Sequence, residues 1–233
     1  MTRQTSKGIC TFCHNEYSKA GMGRHLETCK QRALIEAAPE GQHAGRKTNK
    51  LHVRVEGRDL PMYWMNLDVT NSTTLATLDQ FLRDTWLECC GHLSAFEIGG
   101  VRYSVHADIY ESDSVWGRSQ KDMHVRLDKV LRPGQSCSYE YDFGSTTDLT
   151  VKVISEHKGP TTGELIQVLA RNNAPQEPCI VCGKPATNVC SECIYSEAGG
   201  ALCDTCAEEH SCGEEMLLPL VNSPRAGVCG YTG

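Results

Sequence analysis

Residues 51–89, LHVRVEGRDLPMYWMNLDVTNSTTLATLDQFLRDTWLEC, change hydrophobic period part-way, and that change decides the fold class. Leu51, Val53 and Val55 alternate with polar residues as a strand does, a turn is expected over 57–61, and 62–69 continues in the same style. From residue 74 onward Leu75, Leu78, Phe81, Leu82 and Trp86 recur at helical spacing and mark one face. Further strands are expected at 94–98 and 101–106 across Gly99-Gly100, then, after a polar stretch holding Trp116, a short helix over 127–131 and strands at 138–143, 149–156 and 164–170. The expected class is α+β, with one long helix on a largely antiparallel sheet and Trp64, Trp86 and Phe96 in the core.

On either side of this middle region lie most of the chain's 14 cysteines. The first set is Cys10-x2-Cys13-x11-His25-x3-Cys29; the second is Cys179-x2-Cys182-x7-Cys190-x2-Cys193-x9-Cys203-x2-Cys206-x3-His210-x-Cys212, with Cys229 beyond it. These are zinc spacings, because a Cys-x2-Cys turn supplies two thiolates from one tight knuckle and the ion needs four such donors in a tetrahedron. The N-terminal set resembles a Cys2His2 zinc finger in its Cys-Cys-His-Cys variant, with Cys29 as last ligand and a loop one residue short. Tyr17 and Met22 fall where such a finger keeps its small apolar core, and a helix over 19–33 with Ser18 as N-cap places His25 and Cys29 one turn apart.

The C-terminal pairs suggest a cross-brace, which ties a short chain with little apolar content into one topology. It assigns Cys179, Cys182, Cys203 and Cys206 to one ion and Cys190, Cys193 and His210 to another, with Cys212 preferred over Cys229 as its last ligand. This spacing is similar to that of B-box and MYND-type modules, which implies protein recognition. Three zinc ions are therefore expected, each closed by four ligands and so structural. The chain divides into a finger (1–38), a basic linker (39–50), an α+β domain (51–172) and a cross-brace module (173–233).

Charge is distributed unevenly under the net −6. Residues 1–50 hold nine Lys/Arg against four acids, residues 51–171 hold 12 against 17, and residues 172–233 hold two against eight. Only the first part attracts a polyanion. Among the finger's base-reading positions, Ser18, Gly21 and Arg24, the central one has no side chain, so contact with DNA or RNA is expected to be electrostatic, through Lys19, Arg24, Lys30, Arg46, Lys47 and Lys50. A protein-docking finger is the competing reading. His14 and His43 read as solvated. No stretch approaches the ~20 apolar residues of a membrane span, and the opening MTRQTSKG has no apolar run, so reduced thiols, zinc and a cytoplasmic location are expected, with no membrane partner.

The run Leu75-Ala76-Thr77-Leu78-Asp79-Gln80-Phe81-Leu82, then Trp86, Gly91-His92-Leu93-Ser94-Ala95-Phe96-Glu97-Ile98, Leu127-Asp128-Lys129-Val130-Leu131 and Tyr139-Glu140-Tyr141-Asp142-Phe143-Gly144, resembles the Ri-plasmid open-reading-frame-three-like domain over residues 51–170. The resemblance implies a compact α+β domain without an established activity. That family also includes passenger proteins of insertion elements, an association with mobile DNA. Where the family follows Tyr-Asp-Phe-Gly with Asp and soon a Trp, this chain has Ser145-Thr146-Thr147-Asp148, which alters any site that used that Asp.

His92, Tyr141 and Asp142 are the candidate ligand-site residues of the middle domain, since an imidazole beside a carboxylate does general acid–base work. The competing reading is that His92 caps the helix end and Asp142 bonds turn amides before Gly144. Cys89-Cys90 reads either as buried thiols or as a redox pair. No Walker loop, nucleophile elbow, His-Glu-x-x-His or paired-carboxylate motif is present. The expected function is a non-enzymatic zinc-binding adaptor that docks a protein through its acidic module and touches nucleic acid through its finger. The alternative is an enzyme or small-ligand-binding protein with its site near His92 and Tyr141-Asp142.

Overall fold

The computed structural model describes residues 6–37, 46–105, 120–161 and 163–233. Its frame is a ten-stranded sheet built from β1 (Lys7–Cys10), β2 (Glu16–Ser18), β3 (Lys47–Gly57), β4 (Trp64–Thr70), β5 (Ser94–Ile98), β6 (Val101–Ser104), β7 (Gln120–Asp122), β8 (Ser136–Tyr141), β9 (Thr147–Pro160) and β10 (Ile166–Asn172). Side by side they run β2-β1-β10-β4-β3-β9-β8-β5-β6-β7. Neighbours are antiparallel except β6 with β7. The linker through residue 45, with His43, and the stretch 106–119, with Trp116, lie outside the described residues.

The alternation at 51–55 is the inward face of β3, where Leu51, Val53 and Val55 join Met65, Leu67 and Val69 of β4 and Val151 and Val153 of β9 in one core. Across this face lies α3 (Leu75–Leu82), which buries Leu75, Leu78 and Leu82 and is capped by the Thr74 hydroxyl accepting from the Thr77 amide at 3.1 Å. The helix expected to be long is eight residues of α-helix followed by a π turn, Arg83–Leu87, that buries Trp86 and Leu87. A wide bond from the Glu88 amide to the Arg83 carbonyl, 2.9 Å, closes that turn. It delivers residues 88–92 to the surface as a loop.

The finger hairpin continues the same sheet, because β1 pairs with β10. Trp64 is core as expected, fully buried, in a second cluster with Cys10, Phe12, Met22, Leu26, Cys29, Leu169 and Ala170. Gly8 permits the approach: a Cβ there would lie 2.7 Å from the Trp64 ring. The helix expected over 19–33 is broken. Ser18 caps α1 (Lys19–Thr28), Cys29 leaves helical geometry at ψ 109, and α2 (Lys30–Ala37) starts anew.

That break turns Arg32 of α2 inward onto Asp68 of β4, which is 1 % exposed. Lys50 and His157 complete the group, at 3.4 and 3.2 Å from the carboxylate. Burial pushes the Asp68 carboxyl up, but its His157 hydrogen bond and the charges of His157, Lys50 and Arg32 outweigh that and hold it below the ordinary carboxylate value. A folded-state value depressed in this way stabilises the protein fully above the unfolded value of about 3.9, and the stabilisation is lost as pH falls through the folded value. Asp68→Asn leaves Lys50 buried without its counter-charge, while Arg32 keeps Glu36 at 2.6 Å, and is expected to cost about 3 kcal/mol in urea unfolding at neutral pH, with the gap to wild type narrowing below about pH 4 as the wild-type carboxyl protonates.

Candidate metal centres

Among the described residues, four Cys/His sets have their donor atoms within 4.8 Å of one another, one more set than the three ions expected. Zinc bonds of about 2.3 Å to sulfur and 2.0–2.1 Å to nitrogen place tetrahedral donors about 3.5–3.8 Å apart, which is the scale to compare.

The first set is Cys10, Cys13, His25 and Cys29. Cys10 ends β1, Cys13 lies in the turn after it, His25 is in the last turn of α1, and Cys29 sits at the helix break. Cys13 Sγ is 3.3 Å from His25 Nε2 and Cys10 Sγ is 4.0 Å from Cys29 Sγ. The Tyr17 ring stacks on His25 at 3.8 Å between centroids and fixes the imidazole plane. Burial pushes the Cys10 thiol up to about 11.

In the C-terminal module the first and third cysteine pairs meet as Cys179, Cys182, Cys203 and Cys206, and the second and fourth as Cys190, Cys193, His210 and Cys212. A small sheet, β11 (Asn188–Cys190), β12 (Ala201–Leu202) and β13 (Leu217–Pro219), holds the knuckles, and α4 (Asp204–Glu208) carries Cys206. Cys182 and Cys203 are 3.5 Å apart, Cys193 lies 3.4 Å from His210 Nε2 and 3.6 Å from Cys212. Backbone amides favour thiolate: that of Cys203, foremost, brings the Cys179 thiol down to about 6. Burial works against Cys190, yet the Cys193 and Glu192 amides hold it at about 7. Their neighbours move the other way, Cys206 up to about 12 through bonds to Cys182 and Cys203, and Cys193 up to about 12 through bonds to Cys212 and Cys190.

The fourth set, Cys89, Cys90, His92 and Cys229, was not foreseen. Cys229 stands here and not beside His210. Cys90 Sγ is 3.8 Å and His92 Nε2 3.3 Å from Cys229 Sγ. The three middle-domain candidates gather around it: His92 Nδ1 is 3.6 Å from Asp142 Oδ1, and its ring meets Tyr141 edge-on at 5.7 Å. The Tyr141 hydroxyl donates to Glu88 at 3.0 Å, and Asp142 accepts from the Gly144 amide at 3.0 Å. Missed altogether was Arg225, fully buried, which donates to Asp142 at 2.8 Å, to Thr147 Oγ1 at 3.0 Å and to the Ser145 carbonyl at 3.1 Å. The local signal was Cys-Cys-x-His at 89–92 together with a cysteine left over at 229. A surface depression of about 310 Å³ lined by Lys7, Met62 and residues 173–178 does not include His92, Tyr141 or Asp142.

The basic candidates separate into two groups. Lys50 is buried on Asp68, and Lys19 pairs with Glu56 and donates to the Pro61 carbonyl at 3.0 Å. Arg24, Lys30, Arg46 and Lys47 are exposed. Among the described residues no helix is long and apolar enough to cross a membrane.

The sequence profile of the family described as plasmid pRiA4b ORF-3-like protein matches residues 47–186, beyond both ends of the 51–170 resemblance. No curated protein matches the chain. Among solved structures, a protein of unknown function from Methanosarcina mazei Go1 is similar over 52 % of this chain and 67 % of its own, at 14 % identity and a TM-score of 0.42.

Metal binding must displace thiol protons, so acidification should release it. Cys203→Ser is expected to unfold the β11–β13 sheet, and with it to lower the metal content by about two ions per chain, while the central sheet keeps its own unfolding transition. Elemental analysis reports the metal loss, and tryptophan fluorescence, whose three residues all precede the module, reports the transition of the central sheet.

Proposed function

Because the chain belongs to the plasmid pRiA4b ORF-3-like protein family and carries its polar chemistry in metal-type quartets, we propose that it is a zinc-stabilised adaptor that docks a protein through its C-terminal module. The observation that carries this reading is the surface of that module. Val181 is 67 % and Tyr195 70 % exposed on its knuckles, with Ile180 beside them. In the same module Glu192, Glu197, Glu208, Glu209, Glu214 and Glu215 are exposed. Of the two basic residues in 172–233, Arg225 is buried on Asp142, which leaves Lys184 outside. Exposed apolar knuckles on an acidic module suit a partner that offers apolar surface together with Lys and Arg.

The enzyme reading loses support at the same residues that raised it. His92 directs one nitrogen at Asp142 and the other at Cys229, which suits a metal ligand with its orienting carboxylate better than a free general base. In affinity purification, Val181→Asp combined with Tyr195→Ser should lose a protein retained by wild type while metal content and unfolding midpoint stay unchanged. An identical set of bound proteins would remove the docking role.

Nucleic-acid contact is a second, weaker reading, carried by the exposed Arg24, Lys30, Arg46 and Lys47. Each phosphate neutralised contributes about −0.9 to the slope of log K against log salt on duplex DNA. Fluorescence anisotropy should therefore show weak binding with little sequence preference and a slope no steeper than about −4, shallower by about one for each of Arg24→Ala and Lys30→Ala. Salt-insensitive, sequence-selective binding would overturn this.

A further inference from the structure

The quartet Cys89, Cys90, His92 and Cys229 differs from the other three in having no fully buried ligand: Cys90 and Cys229 are exposed, Cys89 and His92 half-buried. We propose that it is a fourth zinc site, and that its metal is an exchangeable latch fastening the C-terminal tail to the central domain. This does not depend on the adaptor reading.

The donor atoms are placed for an ion. The Cys90 to Cys229 sulfur separation of 3.8 Å and the His92 to Cys229 separation of 3.3 Å are close to the tetrahedral spacings above. A donor set of three thiolates and an imidazole, soft to borderline, selects zinc over calcium or magnesium.

The surroundings are those of a metal site. A ligating histidine ordinarily presents its second nitrogen to a carboxylate, which fixes tautomer and ring orientation. His92 does so toward Asp142 at 3.6 Å. Asp142 is itself held by Arg225 at 2.8 Å and by the Gly144 amide. The same guanidinium donates to Cys89 Sγ at 3.5 Å. Three thiolates around Zn²⁺ leave one net negative charge, and Arg225 supplies a buried positive charge against it. One side chain of the tail thus supports two of the ligands contributed by the central domain.

Backbone geometry agrees. Cys229 has φ 56, between Gly227 and Gly230 at φ 82 each. A left-handed conformation costs a non-glycine residue about 1–2 kcal/mol, so a cysteine in a turn otherwise served by glycine is explained by what its sulfur does.

What the ion would fasten is the segment 222–231. Ser223 Oγ donates to the Trp86 carbonyl at 2.6 Å, Asn222 and Asn172 exchange bonds of 2.7 and 3.0 Å, and Tyr231 is buried. On its other side the tail packs against the acidic module, where a Cβ on Gly227 would come within 2.7 Å of Ile194. The tail is a wedge between the two bodies, so a metal at its tip governs how firmly the module is seated. Solvent access to two ligands makes this ion the first to leave.

The test uses the full chain, purified under reducing conditions without chelator. Elemental analysis should find about four zinc ions per chain, and titration with the chromogenic chelator pyridylazoresorcinol should withdraw about one before the remaining three. Cys90→Ser and Cys229→Ser should each lack that first fraction and retain the rest. Trypsin reports the latch: cleavage after the buried Arg225 should be at least about tenfold faster once the labile ion is withdrawn, an opening free energy shift of about 1.4 kcal/mol. Cys90 is exposed and meets the tail at the Cys229 sulfur, a contact that a serine hydroxyl can still approach, so Cys90→Ser separates metal loss from misfolding. Three ions in wild type, or undiminished metal in both variants, would overturn the site; unchanged cleavage after withdrawal of the labile ion would overturn the latch.

Discussion

Soft donors gathered within 4.8 Å of one another, four times among the described residues, impose the constraint on which the rest of the architecture depends. Thiolates that close repel one another, so each quartet is stable as partly protonated thiols or around a cation. The opposed behaviour of Cys190, held at about 7, and Cys193, pushed up to about 12, is that constraint within a single knuckle. In the C-terminal module little else is available to organise the chain. Its buried cluster consists of Cys179, Cys190, Leu202, Cys203 and Ala207, three of them ligand cysteines. A core of that size does not fold a chain of some sixty residues, and what else converges there is the two Cys/His quartets, spaced as metal ligands are.

Both cysteine-rich ends are attached to the central sheet, each by a different device. The finger adds β1 to the free edge of β10 and packs its helix around Trp64, so that edge is covered instead of presenting unpaired backbone groups. The C-terminal tail uses side chains: Arg225 reaches Asp142, and Asn222 pairs with Asn172. Each device takes cations inward. Arg32 and Lys50 converge on Asp68 of β4, and Arg225 on Asp142 just after β8. The outward charge therefore differs from the formal count. The finger region keeps Arg24, Lys30, Arg46 and Lys47 exposed, while the C-terminal module is left almost wholly acidic.

His92 and Asp142 illustrate how one geometry changes meaning with its neighbours. An imidazole 3.6 Å from a carboxylate is compatible with proton transfer when its other nitrogen faces an open cleft. Here that nitrogen faces Cys229, and two more sulfurs stand nearby. The expected turn role of Asp142 is present as well, through the Gly144 amide, at a residue whose φ of 65 is itself left-handed. The carboxylate thus joins a backbone turn, a buried arginine and a ligand histidine.

The local pattern of the chain determined what local chemistry can determine. Alternation at 51–55 and 62–69 and the helical face from Leu75 to Trp86 follow from which side chains must leave water, and they led to an α+β class that the ten-stranded sheet bears out. Cysteine spacing likewise named sets of residues close in sequence, since a knuckle is a property of a few consecutive residues. The tertiary structure alone decided what joins distant segments. It placed β1 against β10, broke the finger helix at Cys29 so that Arg32 turned inward, made Lys50 a buried partner of Asp68, and carried Cys229 across 137 residues to His92. None of these leaves a periodic signal, because each depends on how β-strands far apart in the chain come to lie side by side, and a single charged or sulfur-bearing side chain reads the same in sequence whether it meets water, a carboxylate or a metal.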